Sequence, residues 1–183
     1  MTAASLLDQS LAAAQQDVQT VSGDGNKLQR LTEGVIVHYT PTHADERGSV
    51  FEIYDSRWRL QPEPVVFAHC CTIRPGYVKG WGLHKKHDDR HFVLQGEMEL
   101  VLFDPRPESS TYGQVCKLAL TEYNRGLVCI PKFVWHAEHN VGSKDVVLVD
   151  LPTAPYDHAD PDKFRLPIDT PLIPYSFGTA RGW

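Results

Sequence analysis

The chain has 183 residues, 18 Lys and Arg against 23 Asp and Glu, and a net charge of −5. That length suits one domain with a real core. That charge excludes a phosphate-backbone binder, which needs a basic stripe, but not a small anionic ligand held by a few local cations.

The first stretch, MTAASLLDQSLAAAQQDVQT, lacks the basic start and long apolar centre of a secretory signal. It reads as a short amphipathic helix capped by Ser5, followed by the linker VSGDGNK. Residues 1–26 are therefore expected to be an N-terminal helix and linker, and 27–183 a single domain. No apolar run reaches the ~20 residues of a membrane span.

Short β-patterned runs then alternate with Gly, Pro, Asp, Asn and Ser: GVIVHYT, SVFEIYD, PVVFAHCCTI, RHFVLQ, EMELVLFD, QVCKLAL, GLVCI, HAEHN and DVVLVDL. Many short strands at this rhythm predict an antiparallel sandwich or barrel. "LQGEM" places Gly96 in a tight turn between two strands, and "YNRG" does the same before "LVCI". "DPRPESSTYG" reads as a loop fixed by an Asp104–Arg106 salt bridge. The proline-dense tail from Pro152 is expected to wrap the surface, with one short helix near Pro161 to Arg165.

Cys70 and Cys71 are adjacent on a strand, point to opposite faces and cannot pair unstrained. With Cys116 and Cys129 they show no zinc-site spacing. Buried free thiols in a reducing cytoplasm are the expectation. Strand parity sorts the polar residues further. It groups His69 with Cys71 and Ile73. It sets His84, Arg90 and Phe92 on one face, and His87, Asp89, His91 and Val93 on the other. In HAEHN it groups His136, Glu138 and Asn140. Apolar positions mixed with a His on one face are what a lined cavity in a small barrel shows.

Four motifs follow one another: "DERGSVFEIYD", "GYVKGWGLH", "LQGEMELVLFDPRPESSTYGQ" and "IPKFVWH". In this order the sequence resembles the dTDP-4-dehydrorhamnose 3,5-epimerase family, within the cupin superfold, from about Gly34 to about Pro174. The resemblance implies an all-β cupin-type jelly-roll barrel and a homodimer. It also implies a dTDP-4-keto-6-deoxyhexose substrate and no metal or organic cofactor. The chemistry it implies is removal of a proton beside the C4 ketone, stabilisation of the enolate, and return of a proton to the other face. On the matching positions the base is His84, oriented by Asp169 in "PIDTP", and the enolate-stabilising cation is Arg90. Arg47 and Glu52 match the groups that hold the nucleotide, Arg47 often from the neighbouring subunit, and His136 matches a His lining the site.

Three departures mark the substrate site. Lys79–Gly80 stands where the family has Arg–Gly. His69 and Cys71 stand where it has "Q-x-N-x-S". Asp150 stands at the position of the catalytic Tyr, while the second Tyr survives as Tyr156. Without that Tyr, a single-centre epimerase, a ketoisomerase and a non-catalytic nucleotide-sugar binder all stay open. Asp150 donates a proton at neutral pH only if burial raises its pKa. His87 and His91 read as solvated rim residues. A metal-dependent cupin enzyme is the rival class, with His84, His87, Asp89, His136 and Asn140 approximating its ligand pattern. Strand parity speaks against it, since His-x-x-His puts its rings on opposite faces unless the chain bends.

Overall fold

The computed structural model describes residues 4–25 and 27–182. The chain divides into two compact units, meeting at Arg30 and Leu31. In the first, Leu6–Ala13 form α1, and Ser5 caps it. The Ser5 hydroxyl accepts from the Asp8 N–H, and the Asp8 carboxylate accepts from the Ser5 N–H, a reciprocal box that satisfies two helix-end donors. No residue of α1 is buried.

The second unit is almost entirely β. Its strands are β1 (Ile36–Tyr39), β2 (Thr42–Asp45), β3 (Gly48–Phe51), β4 (His69–Ile73), β5 (Val78–Leu83), β6 (Asp89–Gln95), β7 (Glu97–Phe103), β8 (Val115–Thr121), β9 (Gly126–Ile130), β10 (Trp135–Asn140), β11 (Val146–Asp150) and β12 (Phe164–Arg165). Two five-stranded sheets, in the orders β1-β9-β6-β11-β4 and β12-β5-β10-β7-β8, make the jelly roll. Every named pair is antiparallel, so no crossover helix is needed. Strands β2 and β3 form a separate hairpin.

The inner faces of the two sheets do two jobs. At one end they meet in a packed core of Ile73, Val93, Met98, Leu100, Leu118, Leu120, Val128, Val146 and Leu148. Towards the other end the same faces turn ionisable. Strand β6 runs Val93, His91, Asp89. Strand β11 runs Val146, Leu148, Asp150, and β4 runs Ile73, Cys71, His69. The registers align these changes: Asp150 pairs with His69 and with His91, and Leu148 with Cys71 and with Val93. Alternation with period two therefore builds a barrel that is dry at one end and polar at the other. Gly96 makes the tight β6–β7 turn at φ 87°, where a Cβ would lie 2.8 Å from the Asp145 carbonyl oxygen.

Several local expectations change. The Pro161–Arg165 helix is instead the short strand β12, because Phe164 and Arg165 pair with Leu83 and Gly82 on the β5 edge. The run SVFEIYD ends as a strand at Phe51, and Asp55 then caps a 3-10 turn at Ser56–Trp58. Strand β5 had little visible signal, since VKGWGL has two glycines and no alternation. The Asp104 loop is as expected and more. Its carboxylate, fully buried, takes hydrogen bonds from Arg106, Ser109 and Thr111. Burial pushes its pKa up, but those bonds outweigh it and hold the carboxyl well below the usual range.

Candidate active site

The polar end of the barrel holds a cavity of about 340 Å³. One sheet contributes His69, Cys71, His91 and Asp150, and the facing sheet contributes Lys79, Gly80, Gly82, Glu138 and Arg165. Tyr156 and Lys163 reach it from the C-terminal segment. A narrower recess of about 70 Å³ shares His69, Asp150, Tyr156 and Lys163 and adds His84, His87 and Asp89.

The C-terminal segment is stapled over this opening by Asp162. Its carboxylate accepts from the backbone N–H groups of Lys85 and Lys86 and lies 3.0 Å from His87 Nδ1. Pairing of Leu166 with Trp81 continues the attachment, and Lys163 is carried between these anchors. Gly82 leaves room beneath. A Cβ there would lie 3.1 Å from His136 Nε2 and 3.3 Å from Lys163 Nζ.

Electrostatics separate the groups. Asp150 is buried, its Oδ1 accepting from the Arg90 N–H and its Oδ2 lying 3.7 Å from His69 Nε2. Burial, with the nearby Asp89 charge, raises its pKa well above the ordinary carboxylate value. Burial pushes Glu138 up to about 7. Burial lowers His69 and takes His91 down to about 4, keeping both rings neutral. Asp89 behaves oppositely. Burial disfavours its charge, but His84 and His87 bond to it and hold it well below the usual range. The cavity thus carries neutral imidazoles, protonatable acids and the ammonium groups of Lys79 and Lys163.

The residues expected from the sequence divide. His69, Lys79, Asp150 and Tyr156 line the cavity, and His84 lines its recess. Arg90 does not. It sits on the outer face of β6, where its guanidinium donates to Gln61 Oε1 and to the carbonyls of Glu63, Pro64 and Leu151. Parity had already set it opposite Asp89 and His91. Asp169 is exposed, and the groups at the His84 ring are the Asp162 carbonyl at Nδ1 and Asp89 at Nε2, 3.1 Å away. Both His84 nitrogens therefore face protein oxygens rather than open space. His136 is buried behind Gly82 rather than lining the cavity. Arg47 and Glu52 are exposed, Arg47 on the β2–β3 hairpin and paired with Asp45, and neither lines this cavity.

Sequence reasoning missed Glu138, His91 and Lys163 as cavity groups. His91 is buried rather than on the rim, and His87 is tucked between Asp89 and Asp162. Glu138 shares the inward face of β10 with His136, a signal that was available. Lys163 carried none, since only the Asp162 staple brings "DKFR" to the barrel mouth. Asn140 is structural: its amide donates to the carbonyls of Ile73 and Lys144, and its oxygen accepts from the Gly142 N–H.

The family model for dTDP-4-dehydrorhamnose 3,5-epimerase matches residues 30–171. The chain belongs to this family. It is 32% identical over 129 residues to the probable low-salt glycan biosynthesis epimerase Agl13 of Haloferax volcanii, covering 69% of this chain and 82% of that protein. It is 30% identical over 149 residues to the spore coat polysaccharide biosynthesis protein SpsL of Bacillus subtilis, covering 81% and 98%. A crystal structure of a dTDP sugar isomerase from Desulfovibrio desulfuricans G20 superposes with a TM-score of 0.75 at 24% identity, covering 82% of this chain and 94% of that one. The cupin-type jelly roll and the nucleotide-sugar isomerase class of this family member rest on these matches together.

Proposed function

We propose that this family member epimerises a dTDP-4-keto-6-deoxyhexose at a carbon next to the ketone, by proton removal on one face and return on the other. One arrangement carries the reading: His69 with Asp150 on one sheet, and Glu138 on the facing sheet, all lining one cavity. Inverting a carbon needs a base and an acid on opposite sides of the sugar ring. Neutral His69 takes the proton, with the Asp150 carboxyl beside its Nε2. Glu138, poised near pH 7, delivers a proton from the facing wall. The ammonium groups of Lys79 and Lys163 supply the positive charge that an enolate oxygen needs.

This reading moves the base from His84 to His69 and the enolate cation from Arg90 to the two lysines. A bare ring nitrogen must front the substrate, and both His84 nitrogens are engaged. Arg47 and Glu52 serve the nucleotide only if the exposed β2–β3 hairpin reaches a second copy, so the reading includes a homodimer.

The test is proton NMR of the product after incubation of dTDP-4-keto-6-deoxyglucose with the protein. A C3 or C5 epimer supports the reading, and unchanged sugar under conditions where it demonstrably binds contradicts it.

A further inference from the structure

Proton transfer between His69 and Glu138 leaves Asp162, His84 and His87 without a part. Asp162 is nonetheless tightly held. Its carboxylate accepts from the Lys85 N–H at 3.0 Å and the Lys86 N–H at 2.6 Å, and its Oδ2 lies 3.0 Å from His87 Nδ1. Its backbone carbonyl meets His84 Nδ1. Both rings rest at Nε2 on Asp89, His84 3.1 Å from Oδ2 and His87 3.4 Å from Oδ1. Two imidazoles therefore bridge a carboxylate of β6 to the residue just before Lys163. Burial opposes the Asp162 charge, but the Lys85 and Lys86 N–H groups outweigh it and hold its pKa below the ordinary carboxylate value.

What this fastening carries is Lys163. A lysine ammonium is a hydrated point charge on a flexible stem, and a cation that stabilises an enolate must stand in place before the proton moves. The chain around it has no regular structure to do this. Residues 151–163 are neither helix nor strand, and β12 begins only at Phe164. Side-chain anchoring does here what a strand does for Lys79. Lys163 lines both the cavity and the recess. Burial raises the pKa of Glu138 and of Asp150, and the Lys163 charge opposes it at both, so the ammonium acts on acids of both walls.

We propose that Asp162 is a positioning residue: through its bonds to the turn at residues 84–88 it fixes the Lys163 ammonium at the cavity. Without that carboxylate the segment loosens, Lys163 swings towards water, and the enolate oxygen loses its counter-charge. The kinetic part of this inference rests on the epimerase reading. The placement of Lys163 does not.

Competitive labelling of the full chain with an amine-selective acylating reagent, followed by peptide mass spectrometry, reads that placement without substrate. Measured against the exposed Lys144, Lys163 should react at least ~10-fold faster in Asp162→Ala than in wild type, because bonds to a charged group are lost. Asp162→Asn, which keeps an oxygen for the Lys85 and Lys86 N–H groups, should fall between. Lys79, on β5, should keep its wild-type rate. An unchanged Lys163 rate in both variants, or an equal rise at Lys79, overturns the inference. In turnover of dTDP-4-keto-6-deoxyglucose, Asp162→Ala should lower kcat ~10–10²-fold with KM near wild type. Adding it to Lys163→Met should cost nothing more, since the two act as one unit. Losses that multiply show Asp162 acting apart from Lys163 and overturn its positioning role. A protein that shows the labelling change yet leaves the sugar unepimerised refutes the sugar reading alone. An active protein whose Lys163 labelling ignores Asp162 refutes this inference alone.

Discussion

His69 and Asp150 are cross-strand partners on β4 and β11, and the imidazole Nε2 stands 3.7 Å from the carboxyl Oδ2 at the cavity wall. The pairing register that buries Ile73 against Val146 at the dry end delivers this pair at the polar end. Core packing and site geometry are therefore one alignment.

If this pair moves the proton, His69→Gln should lower kcat by ~10²–10⁴ while leaving the Kd for dTDP near wild type. Asp150→Asn keeps the shape and the hydrogen bond from Arg90 but cannot exchange a proton, and it should lower kcat in the same direction. Stopped-time product NMR with parallel nucleotide titration reads both.

Glu138 makes stability depend on pH with a definite sign. Burial raises its folded pKa from 4.5 to about 7, so its contribution is fully present below the unfolded value and is lost as pH rises through about 7. At ~1.4 kcal/mol per pH unit across that interval, the loss is roughly 3 kcal/mol. Glu138→Gln removes it. The difference in unfolding free energy between variant and wild type, from urea melts at pH 4.5 and pH 8, should move by that amount in favour of the variant at high pH. A difference that stays flat refutes the buried, protonated carboxyl.

Arg90 should behave as a structural residue. Arg90→Met strands the carbonyls of Glu63 and Pro64 and the Gln61 amide oxygen, at a cost of roughly 2–4 kcal/mol. Thermal melts should show this loss. At a temperature where the variant is folded, kcat should stay within about threefold of wild type, whereas an enolate-stabilising cation removed would cost ~10²-fold or more.

Asp104 makes a similar claim for the "DPRPESSTYG" loop. Asp104→Ala leaves Ser109 and Thr111 buried without their acceptor and should cost roughly 2–4 kcal/mol of stability, measured by denaturant unfolding, with little change in KM.

Much of the fold was legible, because alternation on RHFVLQ, EMELVLFD, QVCKLAL and DVVLVDL is a local property that the sheets preserve. Parity even placed Asp89 and His91 opposite Arg90, so the structural role of Arg90 lay within reach of the sequence. What resisted was non-local. The Asp162 staple joins residues about 76 apart, and no local pattern foretells that it brings Lys163 to the barrel mouth. The turn through residues 84–88 likewise breaks strand parity, and only the folded chain brings the His84 and His87 rings onto Asp89 together.

The central claim is that this cavity removes a proton beside a ketone, and solvent exchange tests it most directly. Wild-type protein in D₂O with dTDP-4-keto-6-deoxyglucose should place deuterium at C3 or C5 far faster than buffer, followed by NMR. The account predicts that His69→Gln suppresses this exchange and Arg90→Met does not. Exchange at the buffer rate with bound nucleotide sugar, or full exchange in His69→Gln, would contradict it.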